Sequence, residues 1–215
     1  VINELEKTGQ RENTIIIFSS DHGLLNGEYG TGGKALLYDL VAKIPLVIFD
    51  PRNPSNDAKR VTEELVLSID VPATILAYAG VAVPASMEGT DLNAEDAPRE
   101  DVFLESLTVA EGNPFIEALR TLEWKYVRYL EPGGCPYTEE QLDFSGQQPT
   151  FEQLFHLTSD PEERVNLVNV PEHTQVLESF RARIRARSTA MTANGLRHKR
   201  DLSIPLRPAE KVNCW

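Results

Sequence analysis

Thr14-Ile15-Ile16-Ile17-Phe18-Ser19-Ser20-Asp21-His22-Gly23 is the stretch that decides the fold class of this 215-residue chain. Its apolar run holds three β-branched residues and a phenylalanine, with no polar residue to mark a solvent face. Such a run fits a strand covered on both sides, as in a parallel sheet. It follows an amphipathic segment over residues 1–12 that Gly9 stops, so a helix precedes the strand. Beyond it come a glycine-rich stretch from Gly23 to Gly33 and a short predicted helix near Ala35–Val41. Pro45-Leu46-Val47-Ile48-Phe49 then repeats the buried-strand pattern and ends at Asp50-Pro51. Asp70–Gly80 is punctuated as a helix, with Asp70 as cap, Pro72 early and Gly80 closing it. Alternating helix and strand make residues 1–101 an α/β unit.

From residue 102 the pattern changes. Val102–Leu107, Phe115–Thr121, Trp124–Leu130 and Phe151–Leu157 are strand-like and separated by turn signals. Thr121-Leu122-Glu123 sits where two neighbouring runs make a hairpin. Four strands with little helix between them predict a small antiparallel sheet. Pro171–Ala193 carries Val176, Leu177, Phe180 and Ile184 at helical spacing and predicts a helix packed on that sheet. Residues 102–193 thus form a second, smaller subdomain, and 194–215 read as a tail.

Composition narrows the function. With 33 Asp+Glu against 21 Lys+Arg the formal charge is −12, which disfavours nucleic acid as a partner because phosphate binding needs positive surface. Residues 181–215 hold nine basic and two acidic residues (net +7), so the remainder carries −19. No apolar run is long enough to span a membrane. Cys135 and Cys214 are too few for a disulfide framework or a four-cysteine zinc site, and leave the redox compartment open.

Chemistry concentrates at Asp21-His22, placed at the carboxyl end of the first strand, where ligands of open α/β sheets bind. A carboxylate oxygen and an imidazole nitrogen both suit a divalent cation. The plainer alternative is a capped turn followed by a loop histidine. Gly27-Glu28-Tyr29-Gly30-Thr31-Gly32-Gly33-Lys34 is not a phosphate loop, because Glu28 and Ala35 occupy positions that need Gly and Ser or Thr. The glycines instead allow the backbone to fold back and carry Lys34 toward Asp21 and His22. There its ammonium acts as a point charge for a sulfuryl or phosphoryl oxygen.

In these motifs the chain resembles the sulfatases of the alkaline phosphatase superfamily, over residues 1–190 and in their C-terminal half only. Five segments in order carry the likeness. They are Thr14–Gly23; Gly33-Lys34 with Leu37-Tyr38 and Ile44–Ile48; and Asp70–Leu76 with Gly80 and Met87-Glu88-Gly89-Thr90-Asp91-Leu92. Leu119–Tyr126, and Leu154–Leu157 with Asp160-Pro161-Glu162 and Asn166-Leu167, complete the set. The resemblance implies the end of a large mixed α/β catalytic sheet over residues 1–101, followed by the four-stranded sheet and helix. It implies that Asp21 and His22 are metal ligands, most often for Ca²⁺, with Mg²⁺ or Mn²⁺ as alternatives. It implies that Lys34 is the catalytic, substrate-binding lysine for a sulfate ester.

Leu24 and Tyr29 depart from the family, where Glu and His are common. The family nucleophile is a formylglycine made in Cys-x-Pro-x-Arg, ahead of all these motifs. Cys135-Pro136-Tyr137-Thr138-Glu139 does not fit that pattern. Ser203-Ile204-Pro205-Leu206-Arg207 fits its serine form literally but lies in the tail. The resemblance therefore implies a fragment, inactive alone, whose nucleophile and further metal ligands belong to an N-terminal half. The alternatives are a phosphodiesterase or phosphonate monoester hydrolase of the same superfamily, or a non-catalytic C-terminal module.

Overall fold

The computed structural model describes residues 1–53, 61–94, 98–106, 114–131, 144 and 146–193. Cys135, Cys214, the tail and Ser203–Arg207 lie outside them. The described residues group into two compact units. One draws on Val1–Lys34 and Asp39–Pro98, the other on Ala35–Tyr38 and the chain from Arg99 onward.

In the first unit, helix α1 (Ile2–Lys7) ends at Thr8, and Gly9 turns the chain with φ +66°. Strand β1 (Ile16–Ser19) pairs with β4 (Leu46–Phe49) in the register Ile16↔Phe49 to Ser19↔Leu46. The pairing is antiparallel, which corrects the parallel expectation. An apolar run records that a strand is to be covered, but its direction is set by the route of the connecting chain. Between them, β2 (Leu25–Asn26) and β3 (Gly32–Gly33) form a short antiparallel hairpin. The expected helix at Ala35–Val41 is instead α2, Asp39–Ala42, because Ala35–Tyr38 is drawn into the second unit.

Helix α3 (Asp70–Tyr78) follows. Asp70 is not its N-cap, a place taken by Ile69. Fully buried, its carboxylate accepts the Leu67 N–H at 2.7 Å and the Thr90 N–H at 2.9 Å, tying α3 to the 87–92 turn. A buried carboxylate is tolerated there because donors replace its water.

The second unit is built on one sheet in the order β5 (Val102–Ser106), β6 (Phe115–Arg120), β7 (Trp124–Leu130) and β8 (Phe151–His156), antiparallel throughout. Thr121 closes the β6–β7 hairpin, its N–H donating to the Trp124 carbonyl at 2.8 Å. Alternation along the strands gives two apolar faces. Leu119, Tyr126 and Leu154 meet Leu177, Phe180 and Ile184 of helix α4 (Thr174–Ala193). On the other face Ile116, Ala118, Val127 and Phe155 pack with Leu36, Leu37 and Tyr38. The fold is thus mixed α/β with a four-stranded antiparallel sheet and a C-terminal helix.

Candidate functional site

Strand β1 ends at Ser19, whose hydroxyl donates to the Pro45 carbonyl at 3.0 Å and so anchors the strand end to the start of β4. The chain then turns sharply through Ser20-Asp21-His22. The Ser20 hydroxyl donates to the His22 carbonyl at 3.0 Å, and the His22 N–H donates to Asp21 Oδ1 at 2.9 Å. Gly23 presses against α2, its N–H donating to the Val41 carbonyl at 2.8 Å. A Cβ there would stand 1.9 Å from the Leu40 carbonyl oxygen, so only glycine allows this approach.

The β2–β3 hairpin brings Lys34 back to this turn. The Glu28 carboxylate accepts the Asn26 N–H at 2.5 Å, and Tyr29 holds a left-handed φ of 57° at the tip. Gly33, at φ +93°, pairs with Leu25 and releases Lys34 beside the end of β1. The lysine Nζ lies 2.6 Å from His22 Nε2. His22 Nε2 is in turn 3.2 Å from Asp21 Oδ2. Lys34, 12 residues beyond His22, therefore joins the adjacent Asp21 and His22 in one cluster.

The Asp21 carboxyl is held below the usual carboxylate range, first by the N–H of His22 and then by its own N–H, with the Lys34 ammonium adding a little, against a small opposing effect of desolvation. Asp21 and His22 offer a hard oxygen and a nitrogen lone pair, both suited to a divalent cation. Among the described residues no group of three His, Cys, Asp or Glu side chains stands ready to hold a metal.

The second unit holds polar features that the linear reading passed over. Arg128 Nε donates to Glu117 Oε2 at 2.6 Å, and Lys125 Nζ is 2.8 Å from Glu163 Oε1, all four residues being buried. A cavity of about 240 Å³ lies between β7, β8 and α4, lined mainly by polar groups, including Arg128, Glu152, Arg181 and Arg185. Arg181 there binds Glu152 at 2.5 Å and Glu178 at 2.6 Å. Glu117 and Arg128 fall on the inward phase of their strands, between Phe115 and Leu119 and between Tyr126 and Leu130. A charge at an inward position was the available signal.

The Sulfatase family model matches residues 1–81. An arylsulfatase of Clostridium perfringens is 27% identical over 183 residues, covering 82% of this chain and 34% of the relative. Two solved structures share the fold. One, a complex with its substrate D-glucosamine-2-N,6-O-disulfate, has a TM-score of 0.69 at 21% identity over 93% of this chain and 39% of its own. The other, the phosphonate monoester hydrolase of Agrobacterium radiobacter, has a TM-score of 0.68 at 23% identity over 86% of this chain and 38% of its own. The chain spans about a third of the length of the arylsulfatase it matches. Among the described residues no helix is long and apolar enough to cross a membrane.

Proposed function

We propose that this chain, which belongs to the sulfatase family, supplies the C-terminal part of a sulfuric ester hydrolase and contributes Asp21, His22 and Lys34 to its active centre. The carrying observation is the convergence of a carboxylate, an imidazole and an ammonium at the end of β1, with Lys34 Nζ 2.6 Å from His22 Nε2. A charged ester group needs that combination: donors for a cation on one side and a fixed positive charge on the other.

Asp21 Oδ2 and His22 Nε2 lie 3.2 Å apart, so they can serve one ion together. Two donors fall short of the six to eight that Ca²⁺ takes, and in this reading the others come from residues outside the chain. Asp21 and His22 would contribute to holding a divalent cation, Ca²⁺ before Mg²⁺ or Mn²⁺, which would supply charge to polarise the sulfate oxygens. A formylglycine, in this reading also outside the chain, would supply the nucleophile. The role of Lys34 is to hold an ester oxygen with a compact point charge that a planar guanidinium does not reproduce. Gly33 permits its approach, and the Gly23 contact with α2 keeps His22 in place. The relatives' names point to sulfated substrates, aryl or carbohydrate.

The test uses the protein encoded with its upstream sequence, assayed on an aryl sulfate and on a phosphonate monoester. Asp21→Ala and Lys34→Ala should each lower sulfate-ester turnover by about 10²–10³, the usual loss of one charge-stabilising group. Lys34→Arg should leave it low. Faster turnover of the phosphonate ester, with the same residues required, selects the hydrolase of phosphonates instead. The 215-residue chain alone should turn over neither ester, because it carries the clamp without the nucleophile. Turnover by that chain, lost in Lys34→Ala, defeats the reading.

A further inference from the structure

Arg128 is 2% exposed, yet its guanidinium is only partly engaged. In the sheet register it stands between Glu117 on β6 and Glu152 on β8, on the face that α4 covers. Its Nε donates to Glu117 Oε2 at 2.6 Å, and its Nη2 lies 2.5 Å from the same oxygen and 3.4 Å from the Phe144 carbonyl. Glu152, its other neighbour, is turned to α4, where it accepts from Arg181 Nε at 2.8 Å and Nη2 at 2.5 Å. Arg128 Nη1 is left without a hydrogen-bond partner among the described residues. An unmet N–H group on a buried guanidinium is costly, and in native proteins water or an ion meets it.

Arg128 borders the cavity of about 240 Å³ between β7, β8 and α4. Arg185, one turn beyond Arg181 on α4, lines the same cavity, is exposed and has no ion pair among the described residues. Gln148 adds an amide to the wall. The nearby carboxylates are already engaged: Glu152 by Arg181 and the Tyr126 hydroxyl, Glu178 by Arg181 at 2.6 Å, and Glu117 by Arg128 itself. That leaves Arg128 Nη1 and Arg185 as the uncommitted charged donors, and a guanidinium fork matches the oxygens of an oxyanion. We infer that the cavity is a site for a small oxyanion (sulfate, phosphate or a carboxylate) held between Arg128 Nη1 on β7 and the Arg185 guanidinium on α4. Its volume lies below the ~300–1,000 Å³ of pockets that take drug-sized ligands, which keeps the ligand small. Such an anion ties the helix to the sheet, so its binding stabilises the second unit. The site lies wholly within that unit and does not depend on the roles of Asp21, His22 and Lys34.

The experiment titrates the 215-residue chain with sulfate, phosphate or acetate at constant ionic strength, with chloride as control, and follows the arginine side-chain nitrogens by NMR. The Nε resonances of Arg128 and Arg185 should move together and saturate with one dissociation constant. Whichever of the three anions saturates them at the lowest concentration identifies the source. Arg185→Met should weaken that binding about tenfold, the usual loss of one charge-assisted contact, and Lys34→Met should leave it unchanged. Sulfate should also raise the melting temperature of the second unit more in the unsubstituted chain than in Arg185→Met, a comparison that removes its general salting effect. A linear drift at Arg185 alone, or an equal response to chloride, means screening of a surface charge and overturns the site. So does a dissociation constant that Arg185→Met leaves unchanged. Should that variant not fold, the unsubstituted titration decides by itself, because silent Arg128 and Arg185 resonances also defeat the proposal.

Discussion

Gly23 shows how much of the site hangs on one hydrogen atom. Its Cα faces the Leu40 carbonyl so closely that a methyl group would sit 1.9 Å from the oxygen. The adjoining residue is His22, whose ring reaches back to the Gly23 carbonyl. Gly23→Ala must push α2 away from the end of β1 or twist the 20–23 turn, an overpacking effect that costs about 1–3 kcal/mol. The urea midpoint of the chain should fall accordingly, and the NMR contact between His22 and Lys34 should be lost. A variant with an unchanged midpoint and an intact contact would show that the approach is not tight. Asp70 makes the complementary point: its residue type suggested a cap, but its burial and the Leu67 and Thr90 donors make it a brace between α3 and a distant turn.

At the level of elements, helix α4 and the four-stranded sheet are joined by apolar packing with charges set inside it. Leu177, Phe180 and Ile184 recur at the helical period and cover Leu119, Tyr126 and Leu154. Beside them Glu117 is held by Arg128 and by the Ser188 hydroxyl of α4 at 3.2 Å. Removing one member of a buried pair strands the other, so Arg128→Met should cost about 3–5 kcal/mol in urea unfolding, whereas Arg128→Met with Glu117→Leu should recover most of the loss. Additive losses would mean that the two charges do not depend on each other. Glu152 ties β8 to the same helix. Desolvation pushes its carboxyl up, but the Arg181 guanidinium and the Tyr126 hydroxyl outweigh that and hold it below the usual range. A depressed folded value gives stability that is complete above the unfolded value of about 4.3 and is lost as pH falls through the folded one. The stability difference between the native chain and Glu152→Gln should therefore shrink on acidification through that window. A difference that stays constant with pH would refute the ion-pair account.

For the whole molecule, the distribution of exposed apolar residues is uneven. Phe18 is 61% exposed and Val47 58% exposed, and they face each other across the β1–β4 register. Leu24 and Leu40 are also exposed in the same unit. Among the described residues β1 and β4 pair only with each other, so each leaves an edge without a ladder partner. Apolar faces and open edges favour association. The purified chain should self-associate in sedimentation experiments, and Phe18→Asp with Val47→Lys should reduce this without loss of the second unit's cooperative melt. A monodisperse chain would mark the first unit as self-sufficient.

Much of this was legible in order of residues. The four antiparallel strands, the Thr121–Glu123 hairpin and the C-terminal helix follow from period-two and helical patterning, which are local and survive in any context. The Asp21-His22 pair and Lys34 were legible by residue type and by their place after a strand and a glycine stretch. Strand direction in the first unit, the drawing of Ala35–Tyr38 into the second sheet's core and the buried Glu117–Arg128 pair were not. Each depends on contacts between residues distant in sequence, whose free energy no local pattern records. The same holds within the site: sequence by itself determined which groups are present, an acid, an imidazole and an amine. Only the tertiary structure decided that Lys34 meets His22 at Nε2 while the Gly23 carbonyl takes Nδ1, because hydrogen bonds act over a few ångströms and depend on where the β2–β3 hairpin returns the chain.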